Sequence, residues 1–278
     1  MRLPRFVTAF SDSPGGVAGA VLVVLVVAAA CLGPVVAPYS PNVPDYADAL
    51  QPPTLHHWGG TDEFGRDVLS RVLYGARISL GVAGLGVAAG LLAGILLGLA
   101  TGYYGGRLDD VVMRIIDVLL AFPGILLAIA MVAVLGPGLQ NLVLAIGIFG
   151  VPGFTRLVRG STLQVSGMDY IEAVRAQGAR SSWILLRHVL PNIMAPLIVI
   201  ATLRLGGAIL TESALAFLGL GAPPPTPEWG AILSDAKDNL VTSPYLGIAP
   251  SVTLVITVLG FNLLGDGLRD ALDPRLRM

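Results

Sequence analysis

Residues 86–102, GVAAGLLAGILLGLATG, decide the fold class of this chain. The segment contains no charged residue, and its glycines recur at every fourth position: Gly86, Gly90, Gly94, Gly98 and Gly102. On an α-helix, residues four apart share one face, so these glycines form a flat ridge. Small residues at this spacing let membrane helices approach each other backbone to backbone. The segment therefore predicts a membrane helix that packs tightly on a neighbour, in either a static or a moving bundle.

The composition of the whole chain supports a membrane location. Of its 278 residues, 54% are hydrophobic and 13% are charged, about half the charged fraction of ordinary soluble domains. A net charge of −1 without a basic segment gives no reason to expect a nucleic-acid partner. Since Cys31 is the only cysteine, neither an internal disulfide nor a cysteine-rich metal site can form. We expect an all-α, polytopic membrane protein surrounded by membrane lipid.

Charged residues divide the chain into its predicted spans. The intervals without charge are residues 13–44, 78–106, 118–155, 188–203 and 239–265. A crossing helix needs about 20 apolar residues, so the first, second and last intervals each hold one helix. Gly136-Pro137-Gly138 favours a turn and divides the third interval into two helices of about 18 residues. The fourth interval is long enough only if its helix continues past Arg204 towards Glu212. The sequence thus predicts six transmembrane helices.

An even number of spans places both termini on one side of the membrane, and the basic residues indicate the cytoplasm. In this orientation the outside segments contain only Arg66, Arg71, Arg77 and Lys237. The inside segments contain Arg2, Arg5, Arg107, Arg114, Arg156, Arg159, Arg175, Arg180, Arg187, Arg269, Arg275 and Arg277. This excess agrees with the positive-inside rule. A signal peptide cleaved near Cys31 is the alternative for the N-terminus, but the apolar run continues past Cys31 to Val36 and favours a retained helix.

Two polar segments lie on the predicted outer side. The first, residues 59–80, reads GGTDEFGRDVLSRVLYGARISL and contains Gly60, Asp62, Gly65, Arg66 and Asp67. Thr61 or Asp62 could cap a short helix, and Gly65 interrupts the run before the next span. The second, residues 222–240, reads APPPTPEWGAILSDAKDNL and places Trp229 in an amphipathic patch after a rigid proline run. Both segments are candidate docking surfaces, and solvated connectors are the alternative.

Two charged residues fall at membrane depth. Arg204 and Glu212 are eight residues apart, which on a helix corresponds to about 12 Å along the axis and about 80° in direction. They are therefore poor candidates for a direct ion pair. Charged residues inside membranes usually face a protein or water-filled interior. Arg204 and Glu212 are candidate lining residues of a solute pathway, unless both extend to the outer interface.

Several kinds of chemistry lack the residues that they require. The only lysine, Lys237, follows Ala236 and cannot belong to a phosphate-binding P-loop. No GxSxG or HExxH motif suggests a hydrolase. The pair His56-His57 has no third histidine or cysteine nearby, so we expect no metal site. We expect no catalytic residue and no cofactor in this chain, and any ATP must be hydrolysed by another chain.

A long polar insertion interrupts the apolar chain before the fifth span. Residues 170–192 read YIEAVRAQGARSSWILLRHVLPN. The spacing predicts a short helix that ends at Gly178, a second helix that starts at Ser181-Ser182, and a direct connection through Pro191 to the membrane helix. The topology places this insertion between spans four and five, on the cytoplasmic side.

The spacing of Glu172, Ala173, Gly178, Leu190 and Pro191 resembles the EAA signature of bacterial ABC importer permeases, E-A-A-x3-G-x9-I-x-L-P. Val174 and His188 depart from that signature. The segments GTDEFGRDVLSRVLYGARISL, RHVLPN, TESALAFLGLG and PPPTPEWGAILSDA are similar to the dipeptide, oligopeptide and nickel permease family, and in particular to its second permease subunit. The resemblance extends from about residue 17 to residue 274.

The resemblance implies a non-catalytic transmembrane subunit of an ATP-driven importer for di- or oligopeptides in a bacterial or archaeal cytoplasmic membrane. Its expected partners are a second homologous permease, two ATPase subunits or domains that bind ATP and Mg, and an external solute-binding protein. The insertion would act as a coupling helix that docks on the ATPase. Residues 1–70 would form the N-terminus, first span and external loop, and residues 71–278 the permease core with five spans. Nickel, a glutathione-like peptide or another small solute is an alternative cargo, and a self-sufficient channel or ion-driven carrier is an alternative function.

Overall fold

The computed structural model describes residues 8–272, and the regular structure in that range is helical apart from one isolated bridge between Thr61 and Asp67. The expected all-α fold class is therefore confirmed. The helices are α1 (Pro14–Val36), α2 (Val68–Tyr104), α3 (Gly106–Ala121), α4 (Gly124–Leu135), α5 (Leu139–Ser166), α6 (Asp169–Ala176), α7 (Ser181–Ile184), α8 (Leu190–Phe217), α9 (Trp229–Ala236) and α10 (Tyr245–Leu272). Arg2, Arg5, Arg275 and Arg277, which the sequence places inside, lie outside the described residues.

Within residues 8–272, five helical stretches are long and apolar enough to cross a membrane. They are Pro14–Val36, Val68–Tyr104, Leu139–Ser166, Ser181–Phe217 and Tyr245–Leu272. A sixth crossing exists if α3 and α4, which meet at an angle of 92°, together form one broken span. The protein is thus a polytopic membrane protein with five continuous spans and one bent helix pair.

The bent pair corrects the expectation of two straight helices in residues 118–155. The turn at Gly136-Pro137-Gly138 is present, with positive φ at both glycines, but the third span is also broken at Phe122-Pro123. Phe122 has extended backbone (φ −89°, ψ 136°), because the ring of the next proline disfavours helical geometry in the residue before it. This leaves α4 with 12 residues, too few for a full crossing by itself.

The glycine ridge packs α2 against α5, as the sequence predicts. A Cβ atom at Gly86, Gly94 or Gly102 would lie within 3 Å of Ile146, Phe154 or Thr162, respectively. The residue numbers of both helices rise together along this contact, so α2 and α5 run parallel. Only glycine allows the two backbones to come this close.

The parallel arrangement determines the path of the intervening chain. Asp109 pairs with Arg159 and Asp117 pairs with Arg156, so α3 runs antiparallel to α5. Gly124, at the start of α4, lies against Phe149. Together α3 and α4 return the chain from the end of α2 to the beginning of α5. The bent pair therefore completes six traverses of the bundle.

Antiparallel packing on α10 closes the bundle. The close contacts join Gly16 with Gly267, Gly19 with Leu264, Leu22 with Gly260, Leu203 with Gly265, and Gly206 with Asn262. The beginning of α1 and the end of α10 consequently lie at the same end of the bundle as α6, which we call the α6 end. The loop between α1 and α2, the turn before α5, and α9 lie at the opposite end, the α9 end. The division at residue 70 stays a prediction.

We expect Gly94→Ala to destabilise the protein, because the new Cβ would lie 2.4 Å from Phe154 Cβ and 3.0 Å from Thr155 N. Forcing these helices apart should cost about 1–3 kcal/mol, seen as a lower thermal unfolding temperature in detergent. Gly84→Ala in the same helix is the control, since no neighbouring heavy atom lies within 4 Å of its Cβ position. Equal losses in both variants would contradict the packing role of the ridge.

Candidate functional site

At the α6 end, α6 is held through one face and presents the other. Ile171 is fully buried and Val174 half-buried, in a core with Leu99, Val158 and Ile184 among others. Glu172 and Ala173 are exposed on the opposite face. The helix ends as predicted: Gly178 has φ 82° and donates its N–H to the Arg175 carbonyl at 3.0 Å. Glycine is favoured at this left-handed position.

The second helix of this pair continues into the membrane without a break. It begins at Ser181 and passes through a π-helical turn at Leu185–Val189 into α8. Pro191 has no N–H for the Arg187 carbonyl, and its ring would clash with that carbonyl in a regular helix, so the wider turn relieves the conflict. The stretch Ser181–Phe217 has 37 residues, about 55 Å of helix. Ser181 and Phe217 are therefore the two ends of one continuous helical stretch.

Aromatic and polar contacts fix α6 to the start of α8. The His188 ring lies between Trp183 and Tyr170, with ring centroids 4.7 Å and 6.2 Å away. Asn192 donates from Nδ2 to the Tyr170 hydroxyl at 3.2 Å and to the His188 carbonyl at 2.6 Å. The two departures from the EAA signature thus have structural roles: Val174 packs towards the core and His188 fills the junction. Of the other signature residues, Gly178 and Pro191 are exposed and Leu190 is half-buried.

At the α9 end, Asp62 closes a turn rather than capping a helix. Its Oδ1 accepts the N–H groups of Phe64 and Arg66, both at 2.9 Å, and its Oδ2 accepts from Arg66 Nε at 2.7 Å. The expectation that Thr61 or Asp62 caps a short helix is wrong, because Gly65 turns the chain at φ 74° before a helix can begin. The helix cap is Asp67, whose Oδ2 accepts the Ser70 N–H at 2.7 Å.

Arg71 joins three separate segments of this end. It is 2% exposed, and it donates to the Pro41 carbonyl at 3.2 Å and to Asp235 Oδ2 at 3.3 Å. Its Nε lies 3.6 Å from Asp62 Oδ2. Burial raises the pKa of Asp235, while the charges of Arg71 and Arg66 lower it. The loop before α2, α2 itself and α9 are thereby linked around one buried guanidinium.

A second polar cluster lies beneath α9. Glu212 is fully buried and accepts hydrogen bonds from Ser79 at 3.0 Å and Ser213 at 2.9 Å. Trp229 is also fully buried: its backbone N–H donates to Ser79 Oγ at 3.3 Å, and its indole N–H donates to the Val72 carbonyl at 3.0 Å. Segments GARISL, TESALAFLGLG and PTPEWG, which are distant in sequence, thus meet in one place.

Glu228 completes this cluster. It is fully buried and directly precedes Trp229, its Oε2 accepts the Ala222 N–H at 2.6 Å, and its Oε1 has no hydrogen-bond partner among the described residues. Burial raises the pKa of Glu228, although the hydrogen bond from the Ala222 N–H opposes that rise. A buried carboxyl group such as that of Glu228, without a described cation beside it, favours the state that retains its proton.

The candidate docking residues of the outer segments lie inside the structure. Gly60, Asp62, Gly65, Arg66, Asp67 and Trp229 are all buried. They shape the α9 end, while Leu55, Trp58 and Tyr46 are exposed at its surface. His57 also points inward, with Nδ1 3.0 Å from Asp67 Oδ1. Among residues 8–272, no group of three or more His, Cys, Asp or Glu residues is arranged to hold a metal ion.

The two charges at membrane depth have different environments. Glu212 is enclosed beneath α9, so it does not extend to the outer interface. Arg204 is exposed and lies against Gly153 of α5, beside a cavity of about 160 Å³. Within the part of the chain that the structure describes, no ion pair joins Arg204 and Glu212, in agreement with their spacing in sequence.

Sequence reasoning missed Arg71, Ser79, Glu228 and Asp235 as individual site residues. All four lie in motifs that the sequence analysis quotes. A charged residue such as Arg71 or Glu228 next to apolar positions was the available signal. Their pairing was not predictable, because Arg71 and Asp235 are separated by 164 residues.

These features define the class of protein: a multi-pass membrane permease component. Residues 90–278 match the family described as "Binding-protein-dependent transport system inner membrane component", and residues 5–53 match the "N-terminal TM domain of oligopeptide transport permease C". The chain therefore belongs to this family and is an ABC importer permease of the peptide and nickel group, located in the bacterial inner membrane.

Individual relatives agree with this assignment. The chain is 49% identical to the glutathione transport system permease protein GsiD of Pectobacterium atrosepticum, over 94% of this chain and 87% of that protein. It is also 49% identical to GsiD of Escherichia coli and of Shigella sonnei, over 93% of this chain and 86% of each relative. An inward-facing structure of the MetNI methionine ABC transporter has a similar fold, with a TM-score of 0.59 and 23% identity, over 72% of this chain and 95% of that chain.

We expect Ser79→Ala to destabilise the α9 end. The variant removes a donor to Glu212 and an acceptor for the Trp229 N–H, which leaves two buried polar groups without this partner. The expected loss is about 1–3 kcal/mol, measured as a lower thermal unfolding temperature. Thr202→Ala is the control, because that hydroxyl is exposed and bonds only within its own helix. A Ser79→Ala protein as stable as the control would contradict the role of this cluster.

The pH dependence of stability tests the environment of Glu228. Its pKa is raised on folding, so its contribution is fully present below the unfolded pKa and is lost as pH rises through the folded pKa. We expect the unfolding temperature of the wild type to fall as the pH rises from the ordinary pKa of a glutamate through the raised pKa of Glu228, and Glu228→Gln to reduce that fall. Glu63→Gln, at an exposed carboxylate of the same end, should not. Parallel curves for wild type and Glu228→Gln would refute this assignment.

Proposed function

We propose that this chain is the second permease subunit of an ABC importer for small peptides, with the α6 end in the cytoplasm. The observation that carries the proposal is the continuous helix from the exposed α6–α7 pair to the buried Glu212 cluster at the other end. A helix of this kind is suited to conveying motion from an ATPase on one side to a solute gate on the other.

The distribution of basic residues supports this orientation. Among described residues outside the bundle middle, the α9 end has Arg66, Arg71, Arg77 and Lys237. The α6 end has Arg107, Arg114, Arg156, Arg159, Arg175, Arg180, Arg187 and Arg269. The positive-inside rule assigns the richer end to the cytoplasm. Both termini would then be cytoplasmic, since the described residues nearest to them lie at the α6 end.

The exposed face of α6 is the proposed docking surface for the ATPase. Glu172 and Ala173 project from it, while Gly178, Leu190 and Pro191 set the angle at which it meets α8. ATP and Mg would bind to two partner ATPase subunits or domains, and this chain would bind no cofactor. ATPase closure would pull α6 and tilt α8 as a rigid body, which gives alternating access to a pathway between this permease and a second, homologous one.

At the external end, a solute-binding protein would deliver the cargo. The buried residues Asp62, Arg66 and Trp229 would maintain the shape of the docking surface without touching the partner. The relatives named for glutathione transport favour a cargo of the di- to oligopeptide class that includes glutathione-like peptides. Nickel or another small solute is the alternative cargo, since the family resemblance includes it. A channel or ion-driven carrier is less well supported, because it would have no ATPase to dock on the exposed α6–α7 pair.

Reconstitution of the complete complex in liposomes tests the proposal. We expect ATP-dependent uptake of glutathione or a dipeptide when both permeases, the ATPases and the binding protein are present, and no uptake when the ATPases are left out. Uptake of nickel alone would assign the alternative cargo. Solute flux through this chain without an ATPase would refute the importer assignment.

Charge reversal at Glu172 tests the docking surface. We expect Glu172→Lys to weaken capture of the ATPase by about tenfold, the effect of losing roughly one charge-assisted hydrogen bond, while membrane insertion is unchanged. Asp110→Lys, an equally exposed carboxylate of the α6 end, is the matched control. Gly178→Ala should also impair coupling, because alanine is strained at φ 82°. Normal ATPase capture and uptake in both Glu172→Lys and Gly178→Ala would contradict the coupling role proposed for α6.

A further inference from the structure

Arg204 places a positive charge halfway through the bundle. The side chain projects from α8, and its guanidinium covers Gly153, which is near the middle of α5. Among residues 8–272, no carboxylate lies within ion-pair distance of it. An arginine at this depth is costly unless it faces protein or water. This side of α8 therefore does not face lipid in the assembled transporter.

The space beside Arg204 is part of a binding site rather than a whole one. The cavity of about 160 Å³ lies between α2, α5 and α8, and Arg204 lines it together with Phe149, Phe154 and Thr211 among others. A typical small-molecule site measures about 300–1,000 Å³, so this cavity could hold one end of a small peptide. Gly207, on the same side of α8, has open space next to it. The remaining wall would come from the second permease.

We propose that Arg204 binds the carboxylate of the transported solute as it crosses the membrane. A guanidinium presents paired N–H donors that match a carboxylate. Peptides with a free C-terminus carry such a group, whereas a free divalent cation would be repelled. Arg204 would thus select for peptide and against metal ions inside the pathway. This inference rests on the proposed function and assigns a residue to its cargo.

Phe149 and Phe154 have a complementary part in this site. Phe154 is almost fully buried and fixed against Gly94 of the glycine ridge, while Phe149 is half-buried. Their rings offer an apolar wall to the solute next to the charged group. A site with one strong polar contact and an otherwise apolar lining holds solute long enough to orient it, and weakly enough to release it.

Uptake and ATP hydrolysis measured together test the proposal in the reconstituted complex. With glutathione as the probe, Arg204→Gln should lower uptake about 10- to 100-fold, as expected for the loss of a charged hydrogen bond. Arg204→Lys should retain more uptake than Arg204→Gln. ATP hydrolysis stimulated by the binding protein should stay within about twofold of the wild type, because α6 and the Glu212 cluster at the α9 end are intact. Arg77→Gln, an exposed arginine at the α9 end, should leave both activities unchanged.

A glycine pair in α5 gives a second test that keeps the charge. Gly153→Ala would place a Cβ 2.5 Å from the guanidinium Nη2 and displace it, whereas the Cβ position of Gly160 has no neighbour within 4 Å. Uptake should fall for Gly153→Ala and stay normal for Gly160→Ala.

The outcomes separate this proposal from its alternatives. Wild-type uptake in Arg204→Gln overturns it. Parallel loss of assembly, uptake and ATP hydrolysis in Arg204→Gln also overturns it. That result would indicate that Arg204 pairs with a carboxylate of the second permease rather than with the carboxylate of the solute. If the wild-type complex imports no peptide at all, the proposed function fails instead. Loss of uptake with preserved ATP hydrolysis supports the assignment.

Discussion

The close approach of α2 and α5 is the constraint on which the rest of the bundle depends. Glycines at every fourth residue of α2 remove the side chains that would keep the two backbones apart. Because the paired helices run parallel, the chain between them must cross back, and it does so as the bent pair α3 and α4. The same contact fixes Phe154 and brings the middle of α5 opposite α8. The position of Arg204 therefore follows from a feature that contains no polar side chain.

The two polar ends of the molecule are organised in opposite ways. At the α6 end, charged residues such as Glu172 are exposed on a helix held through Ile171, Val174 and the contacts of Tyr170, which suits a surface that engages another protein. At the α9 end, Arg71, Glu212 and Glu228 are buried. Arg71 of α2 is hydrogen-bonded to Asp235 of α9, and Glu212 of α8 accepts from Ser79 of α2, which suits an element that must keep its shape. One helix, α8, belongs to both. Its Glu212 forms part of the rigid end, and its first turns form part of the exposed one.

Most of the fold was predictable because two signals are local. Long intervals without charge located five of the spans, and the glycine period identified the packing face of α2. The break at Phe122-Pro123 was not predicted. Apolar residues lie on both sides of Pro123, and whether a proline bends or breaks a membrane helix depends on how that helix packs. The helix pair after Asp169 was predicted in detail, since Gly178 and Ser181 mark its ends. The Glu212 cluster was not, since Ser79, Glu212 and Glu228 meet only after the bundle has formed. Burial also reversed the expectation for Asp62 and Trp229, whose motifs gave no sign of which face they present.

The bonding of Arg71 has a consequence for the order in which the protein matures. Its partners Pro225 and Asp235 are synthesised 154 and 164 residues after it. At about 5–20 residues per second, roughly 8–30 seconds of translation separate the arginine from its last partner. Until then the partners available to Arg71 are Asp62 and the Pro41 carbonyl, both in the loop before α2. The α9 end is therefore completed late in biogenesis, and a ribosome that stops before residue 235 leaves a membrane-inserted chain whose α9 end has not yet closed.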